Sequence, residues 1–171
     1  MKKLISISSF KLIFFYSILI FFCRIIPHIP NFSPIFAVII FCSSFKINLF
    51  KKLIFIIFPL LFSDLFLGFY KINIWVYISY LAIIVINQNF LVSSLKNIFY
   101  KTIAYNLIFY ILTNFAVWIE SSFYSKDLNG LLECYILGLP FLGNSLLSTF
   151  IFLIVLYKFD KPYLYKNFIR V

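Results

Sequence analysis

The chain has 171 residues, 64% of them hydrophobic and only 12% charged, with a mean hydropathy of +1.05 and a formal net charge of +10. That balance excludes a water-soluble core wrapped in a polar surface and places the chain among integral membrane proteins. The cations flank apolar runs instead of forming a basic patch on a nucleic-acid-binding fold, so they argue for an anionic lipid neighbour and against nucleic acid.

A bilayer core requires about 20 apolar residues per helix, and six such runs are present, at 5–23, 34–50, 53–70, 74–92, 98–119 and 131–157. The alternative spanning architecture, a closed barrel, needs strands that alternate apolar and polar residues. Runs such as Leu12 to Cys23 and Leu53 to Phe62 are apolar almost all round. The expected fold class is therefore all-α: a polytopic integral membrane protein of about six transmembrane helices, forming one domain over 1–171. The 25 Phe belong to a composition that an AT-rich genome writes wherever hydrophobicity alone is selected, so no single Phe carries functional weight.

In chain order, the first run follows Lys2 and Lys3 as a secretory signal would, but its end, Phe21-Phe22-Cys23-Arg24, lacks the small residues of a cleavage site. It reads as a retained helix. The segment 24–34 then gathers Arg24, the lone His28, Asn31 and three prolines, which stiffen the backbone. It is either a shaped loop or a plain connector, with Pro34 suited to the first turn of helix two.

Asp64 interrupts the third run, roughly 16 Å along its helix from the start. A carboxylate at that depth costs about 2.5 to 3.5 kcal/mol on the insertion scale. It therefore faces either a polar interior and an ion partner, as part of a site, or a neighbouring helix in a purely structural role. The fourth run ends in Asn87, Gln88 and Asn89, which read as an interfacial end and not a site. On the fifth, Asn114 and Trp118 are four apart and share a face; Glu120, Tyr124, Asp127, Asn129 and Glu133 follow in the next connection and its flank. The sixth run holds Gly138, Pro140, Gly143 and Asn144, where the proline predicts a kink.

Charge orients these elements. Lys2, Lys3 and Lys11, then Lys46, Lys51 and Lys52, then Lys96 and Lys101, then Lys158, Lys161, Lys166 and Arg170 fall in alternate gaps, against only Arg24, Lys71 and Lys126 in the others. Cytoplasmic loops collect Lys and Arg, which predicts a bacterial inner-membrane protein with both termini cytoplasmic. Asp64, Glu120, Asp127 and Glu133 then gather toward the outer side with Arg24, His28, Asn31, Asn114 and Asn144. Cys23 and Cys134 fall toward that same side, so a disulfide and simple packing both remain open, whereas Cys42 lies within helix two.

A single His excludes a His-Glu-x-x-His metalloprotease, and no Gly-x-Ser-x-Gly hydrolase motif occurs. An aspartate pair of Asp64 and Asp127 is disfavoured because Asp127 reads as part of a loop. The expectation is a non-enzyme without cofactor or metal: a substrate-binding or permease-type subunit for a small-molecule solute in the lipid bilayer, its cavity open to the outer face. The binding groups would be Arg24, His28, Asn31, Asp64, Asn114, Trp118 and Asn144. The rival is a non-transport membrane scaffold or envelope-assembly subunit. With no ATP-binding loop in the chain, energy would come from a partner or an ion gradient.

Five ordered blocks add a resemblance: Pro27-His28-x-Pro30-Asn31-Phe32-Ser33-Pro34; Ser63-Asp64-x-x-x-Gly68; Thr113-Asn114-Phe115-x-Val117-Trp118; Tyr124-x-x-Asp127-Leu128-x-Gly130-Leu131-x-x-Cys134; and Pro140-Phe141-x-x-Asn144. Together they resemble a family of small six-helix bacterial membrane proteins catalogued as candidate transport proteins. That family is in turn similar to the substrate-binding subunits of energy-coupling-factor vitamin transporters. The similarity implies docking on a transmembrane coupler driven by ATPase subunits. The chain departs from those subunits in lacking any Ala on the first helix and any pocket motif for thiamine, riboflavin or biotin.

Overall fold

The computed structural model describes residues 2–43, 47–88 and 95–168, with side chains over 11–43, 47–88 and 96–159. Of the residues singled out above, the side chains of Lys2, Lys3, Lys46, Asn89, Lys161, Lys166 and Arg170 lie outside that description. The described chain is all-α: α1 (Lys2–Ile25), α2 (Ile35–Cys42), α3 (Leu49–Leu67), α4 (Lys71–Gln88), α5 (Leu95–Glu120) and α6 (Leu128–Phe168).

Local chemistry sets several of these boundaries. Asn48 caps α3 by accepting the Lys51 N–H at 3.0 Å. The helix stops at Gly68, whose φ of 98° is open to glycine and strained for other residues. Asp127 caps α6, accepting the Gly130 N–H and the Ser125 hydroxyl at 2.8 Å each. Those two hydrogen bonds hold its carboxyl below the usual range. α6 runs unbroken through Gly138, Pro140 and Gly143, so the proline expected to kink this run lies inside one continuous helix.

Among the described residues there are six helices, of which three are long and apolar enough to cross a bilayer: Lys71–Gln88, Lys96–Glu120 and Leu128–Phe159. α2 departs most from the predicted 34–50. Its eight residues rise about 12 Å, and all eight are buried. It is a core helix, enclosed by α3, α4, α5 and α6 and touched by α1. Apolar residues all round its circumference suit that position as well as they suit lipid.

Side-chain contacts give the helix directions. Ser17 donates to the Phe55 carbonyl, and Arg24 pairs with Asp64, so α1 and α3 run parallel. Lys52 meets Gln88 while Asp64 meets Tyr77, so α3 and α4 are antiparallel. Asn87 with Tyr105 and Tyr80 with Phe109 set α4 against α5; Asn106 with Thr149 and Tyr110 with Tyr135 set α5 against α6. The α1–α2, α3–α4 and α5–α6 connections consequently gather at one end of the bundle, the termini-distal end. Much of the exterior is large and apolar, with Phe58 61%, Leu65 65% and Ile136 63% exposed. Such a surface suits lipid and not water.

Candidate functional site

The termini-distal end is built around Asp64, which is 1% exposed. One carboxylate oxygen, Oδ1, accepts from Arg24 Nη2 in an ion pair joining α3 to α1. The other, Oδ2, accepts from Asn73 Nδ2 at 3.1 Å and from the Tyr77 hydroxyl, both on α4. Arg24 Nε donates to Ser63 Oγ at 2.7 Å, and Asn73 also donates to the Gly68 carbonyl at 3.3 Å. A buried charge is tolerable when paired and hydrogen-bonded in this way. Asp64 is thus the joint of α1, α3 and α4, and its partner is Arg24.

Next to this joint lies a cavity of about 130 Å³ lined by Arg24, His28, Asn31, Ser33, Ile35, Phe36, Tyr80, Phe109 and Ser145. Arg24 is shared between the two. Its Nε and Nη2 are engaged, while Nη1 donates to no protein group among the described residues. Asn31 holds a left-handed backbone, φ 62°, which asparagine tolerates better than most residues, and this turn sets the loop over the cavity. The His28 ring donates through Nδ1 to the Ile26 carbonyl at 2.6 Å.

The loop is fastened from below: Asn144 Nδ2 donates to the Pro30 carbonyl at 3.1 Å, and the Ser148 hydroxyl to the Ser33 carbonyl at 3.2 Å. The shaped-loop alternative of the sequence reading matches these contacts, because a plain connector has no need of them.

The seven predicted residues therefore divide. Arg24, His28 and Asn31 line the cavity, and Asp64 stands behind Arg24. Asn114 borders a separate space of about 10 Å³, room for about one water, which it shares with Asn31, Asn106 and Ser145. Its Nδ2 donates to the Tyr110 carbonyl at 2.8 Å.

Trp118 and Asn144 do not line the cavity. Trp118 Nε1 donates to the Ser125 carbonyl at 2.8 Å, and the Lys126 ammonium lies 5.7 Å from the Trp118 ring centroid and donates to its carbonyl. These contacts fold the α5–α6 connection back on itself. The three cysteines are free, and Cys134 donates instead to the Asn114 carbonyl at 3.3 Å.

Sequence reasoning missed Tyr80 and Ser145 in the cavity wall and Asn73 and Tyr77 on Asp64. Asn73 and Tyr77 are four apart on α4, a one-face spacing that could have flagged them. At the opposite end, α4 stops at Gln88, and the structure adds a packing role for the amide beside it: Asn87, 4% exposed, donates to the Ile39 carbonyl at 2.5 Å. Its Oδ1 accepts from Lys101 Nζ at 2.9 Å and the Tyr105 hydroxyl at 3.0 Å. Lys52 Nζ reaches Gln88 Oε1 at 2.7 Å beside it. Those bonds tie α2, α4 and α5 together, and α3 to α4.

The pattern of capped, polar-jointed helices runs almost the full length of the chain, and so does the match to one family model, over residues 5–163. The chain belongs to DUF6580, a family of unknown function. No curated protein and no solved structure matches it.

Proposed function

We propose that this DUF6580 member is a membrane-embedded substrate-binding or permease-type subunit for a small solute, entered from the termini-distal end. The observation that carries the proposal is the cavity beneath the α1–α2 loop. It combines aromatic walls with a few polar groups, the usual make-up of a small-molecule site, and Arg24 Nη1 and the Asn31 carboxamide make no hydrogen bond to any described residue. The similarity to vitamin-transporter substrate subunits supports the same reading. It adds a transmembrane coupler with ATPase subunits as the expected partners.

The proposal includes the placement. α1 and α3 join the three apolar helices as spans, because Arg24 of α1 and Asp64 of α3 neutralise each other and Lys52 is bonded within the bundle. α1 and α3 are parallel, so residues 26–48 must return the chain across the bundle, with α2 supplying part of the crossing. The cation bias then puts both termini in the cytoplasm of a bacterial inner membrane and the cavity on the outer face.

Mass spectrometry of small molecules retained through mild purification tests this reading, together with cellular uptake of whatever is found. His28→Ala and Asn31→Gly remove cavity groups at positions where the backbone tolerates the change. Loss of the retained compound or of uptake in these variants supports the proposal. An unchanged set of compounds and unchanged uptake overturn it. The competing scaffold reading is favoured by Asp64 and Asn87, whose bonds all serve helix packing; co-purification of envelope-assembly proteins in place of a coupler and ATPases would establish it.

A further inference from the structure

The cavity's dimensions and lining narrow its occupant. Drug-sized ligands occupy about 300 to 1,000 Å³, and a dry cavity of about 150 Å³ accommodates benzene. The 130 Å³ here suits a molecule, or the end of one, of about six heavy atoms. One wall is aromatic and well supported. The Phe36 and Tyr80 ring centroids lie 5.5 Å apart, those of Tyr80 and Phe109 4.7 Å, and those of Phe36 and Phe109 5.4 Å.

The polar lining is biased toward donors. Arg24 has five N–H donors and no acceptor; Nη1 is unused by the described protein, whereas Nε and Nη2 serve Ser63 and Asp64. Tyr80 is 6% exposed as a residue; its hydroxyl has no hydrogen-bond partner among the described residues and keeps some accessible surface at the cavity wall. No Asp or Glu lines the cavity. Asp64 is covered on both oxygens by Arg24, Asn73 and Tyr77, so its charge is already hydrogen-bonded away from the space.

We propose that the cavity binds a small carboxylate, with its oxygens against Arg24 Nη1 and the Tyr80 hydroxyl and its carbon end against Phe36 and Phe109. This names the substrate class for the solute-binding reading above and rests on it. A guanidinium with a spare edge is the group best matched to a carboxylate, through short charge-assisted bonds. A neutral amide would satisfy the same donors with weaker bonds, and an ammonium would be repelled by Arg24.

The test is thermal unfolding of the purified full-length protein in lipid nanodiscs, at constant ionic strength in chloride. Acetate, lactate and pyruvate are the probes, compared with acetamide, lactamide and ethylammonium. Gluconate, a carboxylate too large for the space, is the size control. The proposal expects a saturable rise in midpoint with lactate or pyruvate, little with the amides, and none with ethylammonium or gluconate. Tyr80→Phe, which keeps the ring packing, should weaken the lactate response about tenfold or more.

A response to amides equal to that of the carboxylates, or one that Tyr80→Phe leaves intact, overturns the carboxylate assignment. If the amides or ethylammonium stabilise and Tyr80→Phe abolishes the effect, the solute-binding reading survives and only the carboxylate class falls. If no probe shifts the midpoint and no retained compound is detected, both fall. The carboxylate and amide comparison needs the wild-type protein alone, so it stands even if the variant fails to fold.

Discussion

Replacing Arg24 with Met tests the central joint most directly. Asp64 is 1% exposed and would lose its only described ion partner, keeping Asn73 and Tyr77 as donors. Stranding one member of a buried pair costs about 3 to 5 kcal/mol, and the two remaining hydrogen bonds put this case near the lower figure. For a domain of this size that corresponds to a fall of about 6 to 12 °C in midpoint. Asp64→Asn should cost less, about 1 to 2 kcal/mol, because the Arg24 side chain is 22% exposed and can carry its charge toward the interface. The double variant Arg24→Met/Asp64→Asn removes both charges and should lie closer to wild type than Arg24→Met alone. Denaturant unfolding in mixed micelles, followed by fluorescence of Trp75 and Trp118, measures all three. Equal costs for the two single variants, or a double variant equal to their sum, would refute the account of Asp64 as a buried charge held by Arg24.

Two further outcomes follow from the packing. Asn87→Leu removes an acceptor from Lys101 and Tyr105 and a donor from the Ile39 carbonyl; a loss of about 3 kcal/mol is expected, against about 1 for Tyr105→Phe, both read by the same unfolding assay. Gly138→Ala should destabilise by about 1 to 3 kcal/mol, because the added Cβ would collide with the Asn114 carboxamide, whereas Gly143→Ala meets open space and should be neutral or slightly stabilising; similar effects at the two glycines would show that α5 and α6 do not approach as closely as described.

Much of the candidate site was legible only as a neighbourhood. A charge, a lone histidine and a rigid proline-rich turn are conspicuous in an apolar chain, and Arg24, His28 and Asn31 do line the cavity. Asp64 is conspicuous for the same reason, but its role depends on which side chain stands opposite. Trp118 and Asn144 were equally conspicuous, yet they fasten loops. Tyr80 gave no signal. A tyrosine inside an apolar run reads the same whether its hydroxyl faces lipid, core or a cavity.

The sequence by itself determined the helical class, the presence of six apolar runs, and the alternation of cation-rich and cation-poor gaps, because each depends on composition or on the order of apolar and charged residues along the chain. Only the tertiary structure decided that α2 is a short buried helix, that Arg24 answers Asp64, that Asn87 is a joint at the other end, and that Tyr80 closes the cavity wall. The physical reason is the solvent. In water a helix must show a polar face, and its periodicity reveals the core. Here the exterior is as apolar as the interior, so which face turns inward is decided by contacts between residues far apart in the chain.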